Sequence, residues 1–136
     1  MNKYLLGFLF ISHFLFSQSS EEIARWKAQA ARVEIIRDTY GVPHIYGKSD
    51  ADAVFGLLFA QCEDDFKRVE LNYIEKLGRM AEIKGENFLQ SDLYIKLIID
   101  SAEALADYKK SPDWLKKLLN AYADGINYYL YKHPGT

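Results

Sequence analysis

From Phe55 to Met80, apolar side chains recur at Phe55, Phe59, Cys62, Phe66, Val69, Tyr73, Leu77 and Met80, always three or four residues apart. That spacing follows the 3.6-residue helical period and excludes a strand, whose side chains change face at every residue. It predicts one long amphipathic helix from about Asp50 to about Leu77, broken near Gly78. Ser49-Asp50-Ala51-Asp52 offers the start, with capping side chains and early negative charge that suits the helix dipole. Gly56 inside the helix costs about 1 kcal/mol relative to Ala, so its presence predicts a second element packed close to it.

Ahead of the helix lies a reversal between two strand-like runs. Val33, Ile35 and Arg37 alternate with Glu34, Ile36 and Asp38, Gly41 breaks the run, and Val42 to Tyr46 resumes it. Gly41 can take the positive φ of a turn, and Pro43 fixes its own φ while pushing Val42 towards an extended conformation. A β-hairpin or a tightly bent pair of strands is predicted.

The remaining segments read as helical. Glu21–Ala31 has helix-forming composition with acids at its start. Phe88–Ala106 reads as one helix after a stop at Gly85. A third opens at Ser111-Pro112-Asp113-Trp114, with Ser111 as cap and Pro112 in the first turn, is interrupted at Gly125, and ends at His133-Pro134-Gly135. The fold class expected is α+β and predominantly helical, one hairpin plus three or more helices. A lone two-stranded hairpin is marginal in water without cover. Together with a sequence that ends just past a helix, this leads us to expect residues 20–136 to be an incomplete domain.

Residues 1–19 are expected to be a secretory signal peptide. Lys3 supplies the positive start, Tyr4 to Phe16 the apolar stretch, and Ser17-Gln18-Ser19-Ser20 small residues for cleavage. The stretch is short for a membrane span, so export to the periplasm or medium is expected rather than stable membrane insertion. A formal net charge of −2 argues against a nucleic-acid face. Aromatics at 15% point to a large core or to an interface with another chain. Cys62, the only cysteine, reads as a buried small hydrophobe whose pKa the neighbouring acids raise.

Catalytic signals are sparse. His13, His44 and His133 are scattered, and the consecutive acids Glu63, Asp64 and Asp65 point in different directions on a helix, so a solvated or salt-bridging cluster beside Lys67 and Arg68 is expected. No nucleophile elbow, phosphate loop or zinc-protease motif occurs, and no serine has a visible base partner.

Four ordered motifs carry a more specific signal. The first is Arg37-Asp38-Thr39-Tyr40-Gly41-Val42-Pro43-His44-Ile45-Tyr46. The second joins Asp50-Ala51-Asp52-Ala53 to Gly56-Leu57-Leu58-Phe59-Ala60-Gln61-Cys62-Glu63-Asp64. The third is Gly78-Arg79-Met80-Ala81-Glu82-Ile83-Lys84-Gly85, and the fourth Tyr122-Ala123-Asp124-Gly125-Ile126-Asn127. In this order and spacing the chain resembles the penicillin acylase family of N-terminal-nucleophile hydrolases, at the front of the α subunit. Many members follow the Glu-Asp pair with R-L-F-Q-M-E. Here Asp65-Phe66-Lys67-Arg68-Val69-Glu70 stands instead, which leaves the subfamily and its substrate open.

The resemblance implies an αββα sandwich of which this is the front part, and an exported precursor that cuts itself into α and β chains. It implies that a new N-terminal Ser on the β chain attacks an N-acyl substrate such as a β-lactam antibiotic or an acyl-homoserine lactone. Partners would be the rest of the α chain and the β chain. No cofactor is implied in this segment, although some full-length members bind calcium.

No catalytic residue is carried over onto this chain. The matched residues Arg37, Asp38, Gly41, Pro43, His44, Gly56, Glu63, Asp64, Gly78, Arg79, Glu82, Gly85, Tyr122 and Gly125 are given structural roles. Gly41 serves the turn, His44 is a hydrogen-bonded structural histidine, and Arg79 pairs with Glu82. The competing expectation is a non-enzymatic exported helical module that binds a partner through its aromatic face.

Overall fold

A computed structural model describes residues 19–136, so the expected leader lies, but for Ser19, outside the described residues. The order of elements is α1 (Ser20–Ala30), β1 (Val33–Arg37), β2 (Pro43–Gly47), α2 (Asp50–Lys76), α3 (Ala81–Lys84), a 3-10 turn at Glu86–Phe88, α4 (Leu89–Ile98), α5 (Ser101–Lys110) and α6 (Asp113–Lys132).

Helix α1 begins with a capping box: the Ser19 hydroxyl accepts from the Glu22 amide, and the Glu22 carboxylate accepts from the Ser19 amide. Helix α2 is capped by Ser49, as its sequence predicts. Its stripe faces α6. Phe55 and Phe59 meet Tyr128, Phe66 stacks on Tyr129 at 5.4 Å between ring centres, and Tyr73 reaches Tyr122. Trp26, Phe55 and Ala121 form one buried cluster, and Leu58, Cys62 and Ile126 another.

The two strands pair antiparallel, with Val33 opposite Gly47 and Arg37 opposite Pro43. Val33, Ile35, Pro43 and Ile45 are half-buried, while Glu34, Ile36, His44 and Tyr46 face out. The hairpin lies across α2 at Gly56. A Cβ there would stand 2.6 Å from Val33 Cγ1 and 2.8 Å from Ile45 Cγ2, so the close neighbour anticipated from this glycine is the hairpin. The reversal needs its own glycine for a different reason: Gly41 has φ +81° and open space around it.

Several expectations need correction. Helix α2 kinks at Asp65 (φ −159°, ψ 76°), because that carboxylate accepts the Arg68 amide and acts as a cap inside the helix. The stripe is buried or half-buried through Val69, but Tyr73 and Leu77 are exposed. The single helix expected over Phe88–Ala106 is two, since Ile99 is extended and Asp100 caps α5 by accepting the Ala102 and Glu103 amides. Pro112, not Ser111, holds the α6 N-cap position, while the Ser111 hydroxyl donates back to the Asp107 carbonyl. Helix α6 runs unbroken through Gly125, whose missing side chain admits α2: a Cβ there would lie 2.5 Å from the Phe55 carbonyl oxygen.

Candidate functional site

The motif residues of the hairpin and of α2 converge. Arg37, at the end of β1, donates through Nη1 to the Gly41 carbonyl at 3.0 Å and through Nη2 to Glu63 Oε2 at 3.2 Å. Its Nη1 also stands 2.8 Å from Asp64 Oδ1. The acidic pair therefore ties the hairpin to the helix, rather than serving Lys67 and Arg68; only Asp65 pairs with Arg68.

Asp38 organises the turn. Its Oδ1 accepts the amides of Tyr40 (2.8 Å) and Val42 (3.0 Å), and its Oδ2 lies 3.3 Å from His44 Nε2. The Val42 amide, with help from Tyr40 and His44, holds the Asp38 carboxyl below its usual range. His44 thus has the partner that sequence reading could not name.

Beside β1 opens a cleft of about 460 Å³, lined by Val33, Ile35, Arg37, Phe55, Phe59 and Tyr128 among others. Most of its lining residues are apolar, and the charged ones, Arg37 and Glu63, are paired with each other.

The other motif residues sit elsewhere. Gly78 (φ +61°) and Gly85 (φ +89°) bracket α3, and between them Arg79 pairs with Glu82 at 2.7 Å on the surface, as expected. Tyr122 and Gly125 belong to the α2–α6 contact.

Three buried carboxylates were missed from sequence. Asp124 accepts from Arg25 Nε (3.1 Å), Arg25 Nη2 (2.8 Å) and the Trp26 indole N–H (2.8 Å), fastening α1 to α6. Asp52 is held by Arg32 through Nε and Nη2 and by the Ser49 hydroxyl; the Arg32 bonds chiefly keep its carboxyl below the usual range despite burial. Asp92 accepts the Met80 and Ala81 amides and so caps α3 from α4. An acid on the apolar side of a helix, as at Asp124 beside Ala121 and Gly125, is the available signal for such a latch.

Two serines and the cysteine have structural places. Ser19 and Ser49 cap helices, and Cys62 is fully buried, which pushes its thiol up to about 11. Burial, rather than the neighbouring acids, is the cause. Among the described residues no three His, Cys, Asp or Glu side chains gather as a metal site, and no helix is long and apolar enough to cross a membrane. What the convergent residues do is hold a hairpin rigidly against a helix.

The family model described as penicillin amidase matches residues 32–136. The chain belongs to the penicillin amidase family. Within that family it is 31% identical over 107 residues to an acyl-homoserine lactone acylase, QuiP, of Pseudomonas fluorescens, covering 79% of this chain and 13% of the relative. It is 31% identical over 101 residues to the penicillin acylase 2 proenzyme of Pseudomonas sp. strain SE83, covering 74% of this chain and again 13% of the relative. The fold matches a solved thermostable penicillin G acylase from Alcaligenes faecalis with a TM-score of 0.66 and 23% identity, over 75% of this chain and 56% of that one. The penicillin amidase match begins where α1 ends, and it contains the Arg37–Glu63–Asp64 junction, the Asp38 turn and the α2–α6 contact. The chain spans about an eighth of the curated relatives it matches.

Proposed function

We propose that this chain is the front part of the α subunit of an exported amidohydrolase that cleaves the amide bond of an N-acyl compound, such as a β-lactam antibiotic or an acyl-homoserine lactone. The catalytic nucleophile is the N-terminal Ser of a β chain released by self-cleavage of one precursor. Its own α-amine, which titrates near pH 8, takes the hydroxyl proton, and the acyl group passes through an acyl-enzyme whose oxyanion is held by preorganised donors. None of those groups is assigned to this chain, which is inactive alone. Any calcium in the full-length enzyme is held outside these residues.

The observation that carries this reading is the pairing of a family match over residues 32–136 with relatives of which those residues make up about an eighth, one of them named a proenzyme. Inside the match, Arg37, Glu63, Asp64, Asp38 and His44 are engaged with one another in holding the hairpin. Export rests on the leader-like composition of the first residues.

The test is the genomic reading frame. The expected outcome is a frame that continues past codon 136 to an internal Ser behind a cleavable junction. A stop at codon 137, with no β-chain gene nearby, contradicts the proposal.

A further inference from the structure

We propose that Asp124 is a latent isoaspartate site, kept dormant by the contacts that make it a latch, so that release of α1 becomes irreversible once the residue reacts. Asp124-Gly125 is the one Asp-Gly pair in the sequence, and no Asn-Gly pair occurs. Glycine carries no Cβ, so its amide nitrogen reaches the preceding carboxyl with the least obstruction. In the reaction the Gly125 nitrogen attacks Asp124 Cγ, a carboxyl C–O bond breaks, and the oxygen leaves with two protons as water. Water then reopens the five-membered imide. Opening at the main-chain carbonyl routes the backbone through Cγ, with no oxidation or reduction at any step.

Packing ties the chain to this labile pair. A Cβ at position 125 would stand 2.5 Å from the Phe55 carbonyl oxygen and 3.1 Å from Leu58 Cβ, so the close approach of α2 selects glycine there. The residue before it is the shared acceptor for Arg25 and Trp26, which selects an acid. Two independent packing demands, one from α2 and one from α1, therefore meet on adjacent residues and create the dipeptide.

The same contacts hold the reaction off. Asp124 is buried, and both its oxygens are engaged: Oδ1 accepts from Arg25 Nη2 and the Trp26 indole, and Oδ2 from Arg25 Nε. The Gly125 amide lies inside the i→i−4 ladder of a continuous helix. Attack requires the nitrogen to leave that ladder and the carboxyl to turn from its donors, which means local opening of the α1–α6 junction. Beside the carboxylate a recess of about 400 Å³, lined by Arg25, Asn120, Ala123 and Asp124, has room for the water that hydrolyses the imide. The product cannot latch again. Isoaspartate adds one methylene to the main chain of α6 and takes one from the side chain, so the helical ladder and the three-donor geometry both lose register.

The experiment ages the full polypeptide, folded and in urea, and follows the tryptic peptide 118–132 by mass spectrometry with fragmentation that separates isoaspartate from aspartate. The folded protein is expected to form isoaspartate at position 124 at least about tenfold more slowly than the unfolded chain, because opening must first unpair a buried donor. Arg25→Ala raises the folded rate about two- to fivefold, the equilibrium worth of an exposed ion pair. Trp26→Phe, which removes the buried donor and keeps a ring, raises it further. Neither change alters the rate in urea. Hydrogen exchange of the wild-type Gly125 amide gives a reading that needs no variant: its exchange and the isomerisation rise together across sub-denaturing urea. After refolding, chains that carry isoaspartate leave the α1 amides exchanging freely, while unreacted chains protect them.

Isoaspartate that forms at position 124 as fast in the folded protein as in urea overturns the proposal, since the latch then protects nothing. So does an Asp124 that stays intact in urea while other aspartates react. A refolded isoaspartate chain whose α1 amides are protected as in the unreacted protein contradicts the irreversible release.

Discussion

Asp124 is the residue whose removal tests how this fold is fastened. Its carboxylate is 7% exposed and accepts three hydrogen bonds, two from Arg25 and one from Trp26. The two partners are not equivalent. Arg25 keeps 55% of its side chain in water, so the ion pair contributes only about 0.2–1 kcal/mol. Trp26 is 2% exposed, and its indole N–H has nowhere else to go; leaving such a donor unpaired costs about 1–3 kcal/mol.

Asp124→Ala is therefore expected to destabilise by about 2–4 kcal/mol, from the orphaned donor, the lost ion pair and a small cavity. Asp124→Asn keeps an oxygen facing Trp26 and should cost about half as much, and Arg25→Ala under about 1 kcal/mol. Urea titration followed by tryptophan fluorescence measures this. If Arg25→Ala matched Asp124→Ala, or Asn were no better than Ala, the assignment of the latch to the buried indole would be refuted.

Other outcomes follow from the same geometry. Gly125→Ala is expected to destabilise more than Gly56→Ala. Both gain about 1 kcal/mol of helix propensity, but the new methyl at 125 meets the Phe55 backbone, whereas at 56 it meets side-chain methyls of Val33 and Ile45; denaturant midpoints decide. The Cys62 thiol, buried and raised to about 11, should resist iodoacetamide at pH 8 in the native state and react on unfolding, as read by mass spectrometry. Asp38 is more acidic folded than unfolded, so its contribution is present above the ordinary carboxylate value and lost as pH falls through the lowered one. The Tyr40 and Val42 amide resonances should shift with a midpoint below pH 3.8; a midpoint at or above it contradicts the turn's hydrogen-bonding scheme.

How much of this was legible in the sequence depends on the range of each interaction. Short-range patterns read well: the stripe located α2, Ser49 its cap, Gly41 the turn and Gly56 a close neighbour. Local overrides were missed, because whether Asp65 or Asp100 caps a new helix depends on a side chain turning back to its own backbone, which periodicity does not encode. The long-range latches were invisible for another reason. Arg25 and Asp124 are 99 residues apart, and nothing local at either position names its partner. The site divided likewise. The motifs marked Arg37, Glu63 and Asp64 as special, while their mutual contact emerged only once the hairpin was laid on the helix.

The central claim is that these residues are the scaffold of a self-cleaving acylase whose nucleophile lies elsewhere in the precursor. Intact-mass and N-terminal sequencing of the purified full-length product test it most directly. The account predicts two co-purifying chains, one beginning near Ser20, where the expected leader ends, and the other beginning with Ser. A single uncut chain, or a second chain that begins with a residue other than Ser, would contradict it.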